Sequence, residues 1–235
     1  SASTITTFTS GADSRVALGA DLKITNDFNV GANTMILTGT SDLSGGKITL
    51  NNADSLLQAT GACTITNDLA FAADSNAGKG LDLDANVVIS GDITLSADPI
   101  FDFGTNTILY QGAAVDVSAN TVTFTGTGTF DNSGNNFNLD NADSLLDLSG
   151  CTVSNVNQTA DANANKGINV STSASTITTF TSGADSRVAL GATLKINDAF
   201  NGTCCRIDHH GNFFLGLVGV GVDFSVDPFQ FVDFG

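Results

Sequence analysis

Residues 1–24 read SASTITTFTSGADSRVALGADLKI, and residues 173–196 read SASTITTFTSGADSRVALGATLKI. The two differ only where Asp21 becomes Thr193, and Phe28-Asn29 returns in register as Phe200-Asn201. Self-similarity of this kind marks a repeat architecture, in which one supersecondary unit recurs and stacks. A second echo is offset by 89 residues: GTSDLSGGKITLNNADSLL at 39–57 against GTFDNSGNNFNLDNADSLL at 128–146. Each is followed by a Gly, a Cys and a Thr (GACTI at 61–65, GCTV at 150–153), then by ADSNAGKG at 73–80 or ADANANKG at 160–167.

A shorter unit recurs as ANTMILTG at 32–39, ANVVISG at 85–91, NTILYQG at 106–112 and ANTVTFTG at 119–126. Each sets an Asn turn before a run of strand formers and closes on Gly. A short strand buries one face but cannot cover it alone, so similar strands must stack like upon like. The long offsets suit four and eight rungs of roughly 22 residues. The expected fold is therefore all-β: a parallel β-solenoid (β-helix) of stacked repeats over residues 1–201. A C-terminal cap or assembly segment is expected over 202–235. The alternative, a β-sandwich, does not call for near-identical segments 172 residues apart. The recurring ADSLL is compatible with a helical turn, but alternation through Leu146, Leu148 and Gly150 suits a strand better.

Composition agrees. All 24 acidic residues are Asp, with no Glu anywhere. Glu serves exposed helix faces; Asp and Asn serve turns, where short side chains bond nearby backbone. The chain has 25 Gly and only 2 Pro. The net charge of −16, with 8 Lys plus Arg, excludes the basic footprint that nucleic acid requires. No apolar stretch approaches the roughly 18–20 residues of a spanning helix.

Chemistry has little to build from. Catalysis needs a positioned nucleophile or acid–base pair, and the chain has 2 His, both at 209–210. Asp208-His209-His210 spells a string found in some phosphoesterases, without their other metal-binding motifs. Asp82 and Asp84 fall on one face of a strand, as paired glycosidase carboxylates would. No catalytic, cofactor-binding or metal-ligating residue is assigned. Calcium is the one cofactor the composition leaves open, through the oxygen-rich run Asn135, Asn136, Asn138, Asp140, Asn141 and Asp143; neither a β-roll repeat nor an EF-hand spacing is present. Thr121, Thr123, Thr125, Thr127 and Thr129 alternate along one strand, but ice binding needs the same row on adjacent rungs. Cys63 and Cys151 hold matching repeat positions several rungs apart, too far to bond, and are expected to be buried small hydrophobes. Cys204-Cys205 could bond outward to another chain.

After Asn201 the pattern breaks: both His, two of the 4 Cys and six of the 16 Phe lie here. A solenoid end exposes unpaired edges and must be capped or joined. The alternating run Phe213, Phe214, Leu215, Leu217, Val218, Val220, Val222 and Phe224 is the candidate assembly segment.

The ANT-hydrophobic-TG units, GTGTF at 126–130 and the Asn, Thr, Gly and Asp bias resemble the β-solenoid passengers of bacterial autotransporters and haemagglutinin-like surface proteins. Arg206-Ile207-Asp208, Gly211-Asn212 and Gly216 resemble the RID-x-x-GN element of phage tail fibres, with His209 and His210 where small polar residues usually stand. These resemblances imply an extracellular or cell-surface fibre. The expectation is a non-enzymatic building block that associates with itself through strand pairing. The alternative is an adhesin or receptor-binding fibre that recognises surface glycans.

Overall fold

The computed structural model describes residues 2–183, 185–202, 205–208 and 213–215. Every regular element among them is a strand, and every strand pair is parallel. The chain winds into a solenoid of about 9 turns. Its walls are a 10-stranded sheet, a 4-stranded sheet and a 13-stranded sheet. In the early rungs three short strands, such as Thr34–Gly39, Asp42–Gly45 and Ile48–Leu50, each join a different sheet. From Thr152–Gln158 onward, single strands of seven to nine residues run across what was a corner, merging two walls.

The core follows from register. Met35 lies under Leu57, Leu81, Phe101, Phe124, Leu148, Val170 and Leu190 in one unbroken column of buried residues. A second column runs Ile108, Phe130, Val153, Ile177, Ile196, and a third Phe137, Val156, Phe180, Phe200. Parallel rungs stand about 4.8 Å apart, so each buried side chain meets its own kind above and below. The middle rungs are aromatic: Phe101 and Phe124 meet edge to face at 5.2 Å, and Tyr110 stacks on Phe130 at 5.6 Å.

The repeats map onto rungs as expected, eight apart for the 172-residue offset and four apart for the 89-residue one. The rung length is not constant, however. Paired residues are 24 apart at Leu57–Leu81 but 19 apart at Ser186–Cys205. Consequently Leu57 stands four rungs below Leu148, whereas the repeat matches it to Leu146. A shift of two residues keeps inward side chains inward, because strand side chains alternate with a period of two.

The ADSLL segments are corners followed by strands. Ser55 and Ser144 are buried, and their hydroxyls donate to the carbonyls of Gly31 and Ser118 in the rung below. Asn52 Oδ1 and Asn141 Oδ1 accept the N–H groups of Asp54 and Asp143, closing matching Asx turns. The strands then run Leu56–Ala59 and Leu145–Ser149.

Corners also explain the acidic composition. Asp13, Asp27, Asp68, Asp74 and Asp98 each accept, through Oδ1, a backbone N–H from the next rung, at 2.7–2.9 Å. The N–H groups at a corner point along the solenoid axis but lie outside the strand ladder. One methylene places a carboxylate beneath them; the longer Glu would overshoot and would immobilise an extra torsion.

Parallel pairing continues past residue 201. Cys205–Asp208 joins Ser186–Leu190, and Phe213–Leu215 joins Leu194–Gly202. Thus Phe213, Phe214 and Leu215 of the candidate assembly segment form a strand, while Leu217, Val218, Val220, Val222 and Phe224 lie outside the described residues, as do His209, His210 and Cys204.

Candidate functional site

Among the described residues, the first strands of the sheets and the outer faces of the sheets are the surfaces to consider. At the N-terminal end, Ser3–Ile5 and Ser14–Leu18 are the first strands of two sheets, each paired on one side only. Phe28–Asn29 opens the third. An open parallel edge presents unpaired N–H and C=O groups that template another strand. Among the Ser and Thr residues exposed there Ile5 is 40 % exposed, and the partly buried Phe8 covers Phe28 edge to face at 5.0 Å.

On the outer face of the 10-stranded sheet, Gln58, Asp82, Asp102 and Thr125 form one column. The Gln58 amide donates to Asp82 and to Asp84, each at 3.0 Å. Burial pushes the Asp82 carboxyl above its ordinary value, and the charges of Asp84 and Asp102 push it further; hydrogen bonds from Gln58 and the Leu83 backbone oppose them. Asp147 is likewise raised by burial, against hydrogen bonds from Ser171 and Asn169. The expected pairing of Asp82 and Asp84 on one face is met, but they line an outer wall held by an amide.

The other candidates resolve residue by residue. Thr121, Thr123 and Thr125 point outward on one strand, with Leu145, Asp147 and Ser149 above and Ile100 and Asp102 below; the expected row of five breaks there, because Thr127 falls in the turn and Thr129 lies on a separate strand in another sheet, in register with Thr107 and Thr152. In the Asn-rich run, Asn135 Nδ2 donates to Gly112 O, Asn138 Nδ2 to Asp116, and Asp140 accepts from Ser118 N–H. These are rung-to-rung ties, and no cluster of three potential metal ligands occurs among the described residues. Cys63 and Cys151 are buried free thiols; burial pushes Cys151 up to about 11. No helix among the described residues is long and apolar enough to cross a membrane.

The described residues define a parallel β-solenoid. Comparison with family models, curated proteins and solved structures finds no match to this chain.

Proposed function

We propose that this chain is a non-enzymatic building block of an extracellular or cell-surface fibre, and that copies associate through β-strand pairing at the solenoid ends. The observation that carries this reading is the stack itself: every strand pair among the described residues is parallel, and Ser3–Ile5 and Ser14–Leu18 have a strand partner on one side only among them. Every strand in the stack runs parallel, so a head-to-tail contact extends the same ladders. Such a contact is heterologous and does not close, which makes filaments rather than rings. Burying Ile5, 40 % exposed, would contribute well under the roughly 1.5–3 kcal/mol of a fully exposed side chain, and the partly buried Phe8 less. The resemblance to autotransporter passengers and to the RID element of tail fibres supports the same reading.

The test is electron microscopy of the native protein, intact and ending at residue 201. Long fibres from the intact chain and none from the shortened one support assembly through the ends with residues 202–235 taking part. Discrete particles from both overturn it.

A second reading, an adhesin that grips surface glycans, is favoured by the polar outer column of Gln58, Asp82, Asp102 and Thr125. Saccharide retention that is lost on Gln58→Ala would support it; no retention on a glycan array would remove it.

A further inference from the structure

One stretch of sequence carries two different rungs. Residues 1–24 and 173–196 are the same but for Asp21 and Thr193. On the first copy lie Thr34–Gly39 and Asp42–Gly45, and on the second lie Cys205–Asp208 and Phe213–Leu215. The registers agree. Arg15, Val16 and Ala17 face Ile36, Leu37 and Thr38, and their counterparts Arg187, Val188 and Ala189 face Arg206, Ile207 and Asp208. Leu22, Lys23 and Ile24 face Leu43, Ser44 and Gly45, and their counterparts Leu194, Lys195 and Ile196 face Phe213, Phe214 and Leu215. At none of these six positions do the two covering rungs carry the same residue.

What the covering rungs share is pattern. Leu37 and Ile207 both pack against the core, over Val16 and Val188. Leu37 stands six residues before Leu43, and Ile207 six before Phe213, so the corner between the two walls has one length in both. Phe28 meets Phe8 at 5.0 Å, and Phe200 meets Phe180 at 5.5 Å. The single difference between the copies falls on a tie to the rung above. Asp21 and Thr193 each accept a backbone N–H through the carbonyl, from Ser3 and Ser175 in the strand beneath, at 2.9 Å. Only Asp21 has a carboxylate, which accepts the Asp42 N–H of the next rung at 3.3 Å. Asp185 retains the carboxylate with which Asp13 holds the Thr34 N–H at 2.7 Å.

We infer that residues 25–196 form an eight-rung module that stacks on itself within one chain, and that the number of modules sets the length of the solenoid. The face that residues 173–196 present upward is the face on which residues 25–45 lie in the first copy. A second module meets it as the first module meets residues 1–24, with Leu37 over Val188, Leu43 over Leu194 and the Thr34 N–H on Asp185. In a solenoid each rung contacts only its neighbours, so a face that fits the first rung of a module fits the rest stacked beyond it. Residues 197–215 are an alternative rung for that face. The inference concerns rungs joined in one chain and does not depend on separate copies associating.

The test is the chain with residues 25–196 repeated once after residue 196. Eight added rungs at about 4.8 Å should lengthen the particle by about 38 Å at unchanged cross-section, read by small-angle X-ray scattering of dilute protein. A second variant does not require the longer chain to fold: residues 25–45 in place of 197–215. Amide exchange over residues 186–190 and 194–196 should stay as slow as in the parent chain, and a scrambled 25–45 in the same place should speed it at least tenfold. Three results overturn the inference: a longer chain with no gain in length, faster exchange under the authentic 25–45, or equal protection by the scrambled segment.

Discussion

Asp98 donates its backbone N–H to the Asp74 carboxylate at 2.9 Å and, one rung further on, offers its own carboxylate to the N–H of Thr121 at 2.7 Å. Asp68 and Asp92 repeat the relation, with Asp92 accepting in turn from Ala113. These side chains act as rivets between rungs at corners where the strand ladder is interrupted. Asp98→Ala should therefore cost about 1 kcal/mol, the usual net worth of one hydrogen bond. Asp98→Asn keeps an acceptor in place and should cost less, and Asp98→Glu should resemble the alanine variant. Urea unfolding of the three variants is the check.

The raised carboxyls set a pH dependence. Asp82 and Asp147 bind protons more readily in the folded chain than in the unfolded one. The folded state then holds more protons as pH falls through their folded range, so stability rises on mild acidification and is lower at neutral pH. Thermal unfolding should occur at a higher temperature near the raised carboxyl range than at pH 7. Asp82→Asn, which retains an acceptor for Gln58, should raise the pH 7 value and flatten the slope.

Gly45 has φ of 117°, and a Cβ there would fall 2.0 Å from the carbonyl oxygen of Ile24 in the rung below. Gly45→Ala combines a left-handed backbone with a collision against backbone atoms. It should destabilise by about 1–3 kcal/mol, read as a lower denaturant midpoint.

Cys151 is buried, with its thiol pushed up to about 11, and Cys63 is raised for the same reason. Neither should react with a thiol reagent at pH 8 in the folded chain. Both should react in step with unfolding as urea is added; labelling of Cys63→Ser and Cys151→Ser separates the two sites.

Much of this fold was legible in the sequence because like stacks on like. The copies at 1–24 and 173–196 announced a repeat, and the two offsets gave the correct number of rungs. The uneven rung length was not legible, since corner loops absorb residues without changing which side chains face inward; Leu57 aligns with Leu146 but stacks toward Leu148. The merging of two walls after Thr152 escaped notice because strand and corner there use the same Asn, Ser and Thr vocabulary. The rivets had a signal, 24 Asp without one Glu, which composition alone read only as a preference for turns. The candidate assembly surface was sought in the Phe-rich tail. Of that tail segment only Phe213, Phe214 and Leu215 fall among the described residues.

Sedimentation velocity of the intact chain against Ile5→Asp, over a wide range of concentration, tests association through the N-terminal strands most directly. Ile5 is exposed, so the substitution should leave the fold intact while placing a charge where a second rung must pack. The expected result is growth of large species with concentration in the parent protein and a single slow species for Ile5→Asp. A parent protein that stays monomeric throughout, or an Ile5→Asp variant that assembles equally well, would contradict it.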